Sequence, residues 1–257
     1  MKNNKIIERM VWIVLLAIVW ELVVLTGRFS TLILPSLRSI LHSLYLSISR
    51  GDLLAQIYFS MSIIIQGIII SLILAMVLVF LSLFSKVFTS LLETIIAIAH
   101  PLPGIALLPL VILWMGAGRK AILFIIIHSV LWPLVLNLKT GFQSIPEVYK
   151  LIGKNYELNK LQIMIKILTP ASLPYFLAGM KIGWARAWRA LISAEMLFGA
   201  ANSIGGLGWF IFEKRSFFDL PGVFAGIIVI VIIGILIEDF VFQSIENHTI
   251  KKWGMST

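Results

Sequence analysis

Long apolar runs alternate with short polar segments along almost the whole chain. A helix needs about 20 mostly apolar residues to cross the hydrocarbon core of a bilayer, and several runs approach or exceed that length. The pattern predicts an all-α integral membrane protein with six transmembrane helices. The predicted spans are residues 10–26, 58–84, 91–117, 121–138, 173–199 and 222–244.

The longest polar interruption, residues 146–174, separates the fourth and fifth predicted spans. A first short helix is expected from Glu147 to Lys154. Asn159 and Gln162 resemble a capping box and predict the start of a second short helix, whose apolar residues recur at helical spacing. Two short amphipathic helices either lie on the bilayer surface or fit a groove in a soluble partner.

Basic residues set the expected orientation. With a cytoplasmic N-terminus, the inner segments hold eleven of the Lys and Arg residues and the outer segments hold seven. Because cytoplasmic loops are enriched in Lys and Arg, both termini and residues 146–174 are expected in the cytoplasm. The apolar run after Arg9 is not followed by a small-x-small cleavage site, so we interpret it as an uncleaved first helix.

Prolines at positions 101, 103 and 109 interrupt the third predicted span. Proline removes a backbone donor and clashes with the preceding turn, so this span is expected to be broken. Broken helices often mark transport pathways, which makes His100, Pro101 and Pro103 candidate pathway residues; a plain packing kink is the alternative. His100 taken alone is interpreted as a hydrogen-bonded structural histidine.

The fifth predicted span carries Lys181, Arg186, Arg189 and Glu195. A charge at membrane depth costs at least about 2.5–3.5 kcal/mol on insertion scales, so these side chains are expected to face the protein interior and find partners. Arg186 and Arg189 lie on one helical face and can guide an anion such as a sulfonate, carboxylate or nitrate. The alternative is a structural pair bound to helix-end carbonyls or to acidic residues of a neighbouring span.

The composition narrows the function. Hydrophobic residues make up 60% and charged residues 13% of the chain, against about 25% charged in soluble domains, so residues 1–257 are expected to form one transmembrane domain. The net charge is +9, and the Lys and Arg residues lie between the apolar runs. This distribution argues against a nucleic-acid partner. The sequence has no cysteine, phosphate loop, zinc-protease motif or nucleophile elbow, so neither an enzyme nor a bound metal or cofactor is expected.

A series of short motifs lies along residues 10–254, each at one position. They are Trp20-Glu21, Leu34-Pro35-Ser36, Pro101-Leu102-Pro103, Leu113-Trp114-Met115-Gly116, Ala171-Ser172-Leu173-Pro174-Tyr175, Arg186-Ala187-Trp188, Ala194-Glu195-Met196, Gly205-Gly206-Leu207-Gly208 and Lys252-Trp253. In this order they resemble the nitrate/sulfonate/taurine group of binding-protein-dependent ABC transporter permeases.

The family's cytoplasmic loop motif is degenerate in this chain. The family pattern is Glu-Ala-Ala, three residues, Gly, then about nine residues to an Ile-x-Leu-Pro end. Aligning that end on residues 167–170 places Leu151-Ile152-Gly153 at the Glu-Ala-Ala positions and Glu157 at the glycine. Because glutamate adopts a positive φ only at a cost, the turn is expected to be displaced to Gly153.

The resemblance implies a type I, MetI-like importer permease of two six-span subunits, often identical, in the bacterial cell membrane. Two copies of a separate ATPase, which hold ATP and Mg, would lie beneath it, and an external solute-binding protein would deliver a small anionic solute. A coupling helix within the loop 146–170 would pass the ATPase motion to the spans. Its candidate residues are Glu147, Tyr149, Lys150, Leu151, Gly153, Lys154 and Glu157.

Two other functions stay open on the sequence alone. One is a gradient-driven secondary transporter in which Glu195 and His100 carry protons; its uptake would survive ATP depletion and collapse with the gradient. The other is a membrane scaffold without transport.

Overall fold

The computed structural model describes residues 2–198, 205–250 and 252, and within these ranges the chain is helical without a β-strand. The α-helices are α1 Lys2–Leu25, α2 Leu37–Ser49, α3 Leu53–Phe84, α4 Lys86–Ala99, α5 Leu108–Met115, α6 Arg119–Ser144, α7 Glu147–Asn155, α8 Lys160–Ile163, α9 Thr169–Ala171, α10 Leu173–Phe198, α11 Leu207–Ser216, α12 Leu220–Leu236 and α13 Gln243–His248. A 3₁₀ turn, Gly104–Leu107, precedes α5, and π-helical turns, Met164–Leu168 and Ile237–Phe242, follow α8 and α12. The predicted end of the fifth span at Gly199 and the motif residue Trp253 lie outside the described residues.

Fewer than six of the described helices qualify as membrane spans by length and composition. Among the described helices, three are long and apolar enough, at Leu53–Phe84, Arg119–Ser144 and Leu220–His248, and the number rises to five if two bent pairs each form one span. Helix α1, which holds the predicted first span, is not among them, because its apolar run begins only after Glu8 and Arg9 and is interrupted by Glu21. Six spans therefore stay a prediction.

The third predicted span is broken, as its prolines predict. Helix α4 and the segment Gly104–Met115 meet at an angle of 87°. The break falls at His100, Pro101 and Pro103, between the end of α4 and the 3₁₀ turn. The backbone there leaves the helical path in the middle of the apolar run, which opens room for a cavity.

Helix α6 packs against both α3 and α10, and these three helices form the centre of the core. Ile63 of α3, Ile126 of α6 and Leu191 of α10 are fully buried. A Cβ atom on Gly67 of α3 would overlap the Ile126 side chain. Small residues of this kind let membrane helices approach closely, so α3 and α6 form a rigid support for the residues they carry.

The second short helix of the polar interruption begins where the sequence predicts. The backbone N–H of Gln162 donates to the Asn159 side-chain oxygen at 2.8 Å, and the Asn159 N–H donates to the Gln162 side-chain oxygen at 2.9 Å. This reciprocal pair is the predicted capping box. Helix α8, the π-helical turn and α9 then lead into α10 through a bend of 64°, so one helical path joins the polar segment to α10.

The turn between α7 and α8 corrects one prediction: it is centred on Glu157 and is not displaced to Gly153. Glu157 has φ of 55°. The N–H of Leu158 donates to the Gly153 carbonyl at 3.0 Å, and the N–H of Glu157 donates to the Lys154 carbonyl at 2.9 Å. These two bonds form a Schellman motif, whose left-handed position is usually glycine. Gly153 instead lies within α7, where a Cβ would be 2.8 Å from Ile163.

Replacing Glu157 with glycine is therefore expected to stabilise the α7–α8 turn by about 1 kcal/mol, because a non-glycine residue in the left-handed region is strained. Hydrogen exchange of α7 and α8 measures the effect as slower exchange. The matched control is Glu147→Gly, which places glycine in the first turn of α7 and should speed exchange. Faster exchange in Glu157→Gly would mean that the Glu157 side chain contributes more than its backbone strain costs.

Candidate functional site

A cavity of about 570 Å³ opens at the break between α4 and α5. Residues of the break, of α6 and of α10 surround it. They are His100, Pro101, Leu102, Pro103, Gly104, His128, Ser129, Arg186 and Arg189. The structure thus brings five of the six predicted pathway residues, which are far apart in the sequence, to one cavity.

The packing of α10 directs its two arginines towards this cavity. Trp184 and Trp188, one turn apart, are buried in the core with their rings stacked at 5.8 Å between centroids. Their burial fixes the rotation of α10, so Arg186 and Arg189 face the cavity. Because the two buried tryptophans hold the other side of α10 in the core, the backbone that carries both arginines can move little.

Each arginine is held by one contact within the described residues, and neither contact is an ion pair. The Arg186 guanidinium lies 3.4 Å from His100 Nε2, across the break. Because a guanidinium only donates, His100 Nε2 accepts this bond. Arg189 Nε donates to the Ala185 carbonyl of its own helix at 3.0 Å.

The basic residues of α10 differ in how their charge is compensated. Lys181 pairs with Glu246 at 2.5 Å and with Glu238 at 3.5 Å, so it finds the acidic partners expected of a charge at membrane depth. No ion pair in the described part of the chain includes Arg186 or Arg189. If the two arginines were a structural pair, acidic residues of a neighbouring span could have been their partners, but the described residues provide no such partner for either arginine. The cavity carries uncompensated positive charge, which suits an anion.

The break approaches α6 closely at Gly104. A Cβ atom there would overlap the Ser129 hydroxyl and would lie 3.2 Å from the Ile125 carbonyl. A side chain at this position would require the Ser129 hydroxyl to rotate away and α6 to shift slightly at Ile125. The sequence analysis did not predict Gly104, Ser129 or His128 as site residues. His128 could have been found from the sequence, because it is a histidine within an apolar span.

Glu195, the sixth predicted pathway residue, does not line this cavity. Its side chain is 1% exposed. The Ser60 hydroxyl of α3 donates to the carboxylate, 2.9 and 3.0 Å from its two oxygens, and the Gly208 N–H donates to it at 2.8 Å. The Ser60 oxygen also accepts the Leu207 N–H at 2.9 Å. Glu195 thus satisfies the first turn of α11, where a negative charge is favourable, and ties α3, α10 and α11 together.

The predicted coupling residues lie on or next to α7. Tyr149 is 47% exposed and Leu151 50% exposed, and neither has a partner helix over its outer surface within the described residues. Gly153 is buried against Ile163, whose side chain belongs to a small hydrophobic cluster with Ile145 and Leu168. Helix α7 is therefore packed at Gly153, while Tyr149 and Leu151, two positions apart on different sides of the helix, both stay exposed.

The charged coupling residues lie on the surface of the same segment. Lys150 and Glu147 pair at 3.8 Å along α7, and Lys154 and Glu157 are exposed at its C-terminal end. An exposed ion pair at this distance stabilises little, so these four side chains remain available to a partner.

A second polar cavity lies at the opposite end of the bundle from α7. Helix α6 runs from Arg119 to α7, and the Arg119 guanidinium lies over the ring of Phe59 near the start of α3. The start of α3 is therefore at the far end, and the end of α11 and the start of α12 line the same cavity. The cavity has a volume of about 540 Å³ and is lined by these segments and α2. Gln56 lines it, is 7% exposed, and has a buried side-chain oxygen without a hydrogen-bond partner. Most buried polar atoms have a hydrogen-bond partner, so this amide oxygen is open to a donor from outside the described chain.

Metal ligation has no support in the described residues. No group of three or more His, Cys, Asp or Glu side chains there is arranged to hold a metal ion. His100 accordingly has a guanidinium, not another ligand, as its partner.

Residues 39–251 match the family described as "Binding-protein-dependent transport system inner membrane component". This match covers most of the chain, and the protein belongs to that family, which confirms the resemblance read from its motifs. It is an ABC transporter permease with membrane helices.

Named relatives are transport permease components. The aliphatic sulfonates transport permease protein SsuC of Escherichia coli is 32% identical over 220 residues, 86% of this chain and 82% of the relative. The nitrate import permease protein NrtB of Synechocystis sp. is 29% identical over 150 residues, 58% of this chain and 53% of the relative. The taurine transport system permease protein TauC of Escherichia coli is 30% identical over 148 residues, 58% of this chain and 52% of the relative. The alignment thus spans about half the length of the nitrate and taurine relatives.

Proposed function

We propose that this chain is the permease subunit of an ATP-driven importer for a small oxyanion of the sulfonate or nitrate kind. The observation that carries the proposal is the cavity at the broken helix, where Arg186 and Arg189 have no acidic partner among the described residues. The relatives are named for nitrate, aliphatic sulfonates and taurine, all of which are or contain anions. The chain itself performs no chemistry; ATP and Mg bind the partner ATPase.

The exposed side of α7 supports docking of an ATP-binding subunit. Tyr149 and Leu151 offer apolar surface beside charged groups, which is how an amphipathic helix enters a groove in a partner. Two ATPase copies and two permease copies, the latter identical, complete the complex in this proposal. The proposed complex lies in a bacterial cell membrane, with α7 and both termini of this chain in the cytoplasm.

The path from α7 to the arginines suggests how ATP drives transport. Helix α7 packs on α8 and the π-helical turn, and these continue through the bend into α10, which carries Arg186 and Arg189. A displacement of α7 by the ATPase would therefore tilt α10 and move the arginines relative to His100 on the break. ATP binding shifts the population between two permease states that open to opposite sides, because it favours one of them.

The polar cavity around Gln56 supports an external partner. It lies at the end opposite α7, and Arg50, Asp52 and Glu213, which line it, take part in no ion pair within the described residues. Unpaired charges of both signs suit a charged protein surface. In this proposal the solute-binding protein releases its solute at this end.

Reconstituted uptake tests the proposal. The permease, its ATPase and its binding protein in proteoliposomes should accumulate solute only with ATP inside, and Tyr149→Ser with Leu151→Ser should abolish both uptake and co-purification of the ATPase, because the docking surface is lost. The matched control is Tyr45→Ser with Leu41→Ser, two exposed α2 residues at the other end, which should retain both. Uptake that survives ATP removal and collapses with the ion gradient would establish a secondary transporter and overturn the proposal.

A further inference from the structure

An apolar cavity of about 350 Å³ lies at the bend that leads from α9 into α10. One wall is formed by the C-terminal turns of α3 and α6, and the other by the π-helical turn after α8, by α9 and by the start of α10. The lining residues are Met76, Val79, Phe80, Leu138, Phe142, Met164, Thr169, Ser172, Leu173 and Phe176. This cavity shares no lining residue with the arginine cavity.

The chemistry of the lining fits an apolar occupant. None of the ten lining residues is charged. The Thr169 hydroxyl donates to the Met164 carbonyl at 2.9 Å, and the Ser172 hydroxyl donates to the Thr169 carbonyl at 2.9 Å. Apolar cavities stay dry, and one of about 150 Å³ already binds benzene. An empty cavity would leave its walls without packing contacts, so an apolar group is expected inside.

The cavity opens on the outer face of α3. Met76 and Phe80, which line it, are 48% and 37% exposed. Together with Ile73, Val77 and Phe84 they form an exposed stripe at helical spacing. Helix α3 is among the described helices that are long and apolar enough to span a membrane by themselves. The opening therefore lies on a membrane-facing surface.

The residue types of the stripe favour lipid over a second protein helix as its neighbour. Interfaces between membrane helices are enriched in small residues, which let the backbones approach closely. The face of α3 that packs inside the bundle has such residues, with Ser60, Gly67 and Ser71 buried. The exposed stripe consists of large side chains only, which suits contact with lipid chains.

We propose that this cavity is a binding site for one acyl chain of a bilayer phospholipid, which enters beside Met76 and Phe80 and reaches Leu138 and Met164. One wall belongs to the rigid pair α3 and α6, and the other to the bend before α10. The chain therefore fills the space behind the bend and supports its angle of 64°. Binding of the chain depends neither on the solute nor on ATP, so this site can be tested independently of the proposed function.

Photo-crosslinking from the lipid tests the site. The full-length permease and its ATPase are reconstituted in nanodiscs of phosphatidylethanolamine and phosphatidylglycerol, and a small fraction of the phospholipid carries a diazirine on one acyl chain. After irradiation, mass spectrometry of the peptides locates the adducts on the permease.

Four residues report where the chain goes. Leu138 and Met164 are 5% and 8% exposed, so only a chain inside the cavity can label them. Ile232 is exposed on α12 and reports bulk lipid, whereas Leu134 is fully buried, does not line the cavity and reports background. We expect adducts at Leu138, Met164 and Ile232, and none at Leu134.

A substitution that fills the cavity should remove the specific adducts. Leu173→Trp places a larger side chain in the closely packed wall, so labelling at Leu138 and Met164 should be lost while Ile232 stays labelled. Leu236→Trp makes the same change at an exposed position of α12 and should keep the wild-type pattern. If Leu173→Trp does not assemble, the wild-type pattern decides by itself.

Three results would overturn the site. Adducts at Met76 and Ile232 without adducts at Leu138 and Met164 would mean that lipid covers the opening but does not enter. An unlabelled Met76 beside a labelled Ile232 would mean that protein, such as a second copy of this chain, covers the stripe. Persistent labelling of Leu138 and Met164 in Leu173→Trp would mean that the lipid reaches them by a route outside this cavity.

Discussion

Replacing Glu195 with alanine is expected to destabilise the protein by about 3 kcal/mol, because buried polar groups then lose their partner. The Gly208 N–H and the Ser60 hydroxyl both donate to this carboxylate. The hydrocarbon core of the bilayer holds no water that could replace the lost carboxylate as an acceptor. Thermal unfolding of the purified protein in detergent measures the loss.

The local signature of this variant lies in α11. Its first turn is held by Glu195 and, through the Leu207 N–H, by Ser60, so hydrogen exchange of residues 207–216 should accelerate more than that of α3 or α6. Ser60→Ala removes a hydrogen bond to a charged group and should cost about 2 kcal/mol. Ser62→Ala is the matched control on the same helix, since the Ser62 hydroxyl donates only to the Phe59 carbonyl; its effect should be small.

The same variants separate a structural from a pathway role for Glu195. The structural role predicts that Glu195→Gln loses stability and transport together, because an amide offers one acceptor oxygen where the carboxylate offers two. If Glu195→Gln keeps its unfolding temperature and α11 protection but loses uptake, the carboxylate acts on the solute or on a proton. That result would restore the pathway role that the sequence suggests.

Features that depend on neighbouring residues were predictable from the sequence. The capping box of Asn159 and Gln162 is formed by residues three apart, and the broken third span follows from its prolines. Both are decided by backbone chemistry within a single turn. The predicted helix Glu147–Lys154 and the observed α7, Glu147–Asn155, differ by one residue for the same reason.

Features that depend on tertiary contacts were not predictable. A charge in an apolar span predicts a pathway role for Glu195, but its partner Ser60 is 135 positions away. The local preference of glutamate is to avoid a positive φ, yet the Schellman bonds and the packing of Gly153 on Ile163 hold the turn at Glu157. In both cases contacts elsewhere outweigh a local preference.

The second large effect concerns the arginine cavity. Replacing Arg186 and Arg189 together with glutamine is expected to reduce solute uptake at least about a hundredfold, because each lost charge-assisted hydrogen bond to an anion weakens binding about tenfold or more. Glutamine keeps a polar side chain in each place. The readout is the initial rate of ATP-driven uptake in proteoliposomes at several solute concentrations.

Assembly and ATP hydrolysis should survive this double change, because neither arginine forms an ion pair within the described residues and α10 is held by Trp184 and Trp188 on its other side. The matched control is Arg28→Gln with Arg38→Gln, which removes the same charge from two exposed positions in the 26–52 region and should leave uptake near wild type. A complex that falls apart in the Arg186 and Arg189 variant would show that the pair holds the subunits together. In that case the positive charge of the cavity serves the assembly, and the solute takes another route past α10.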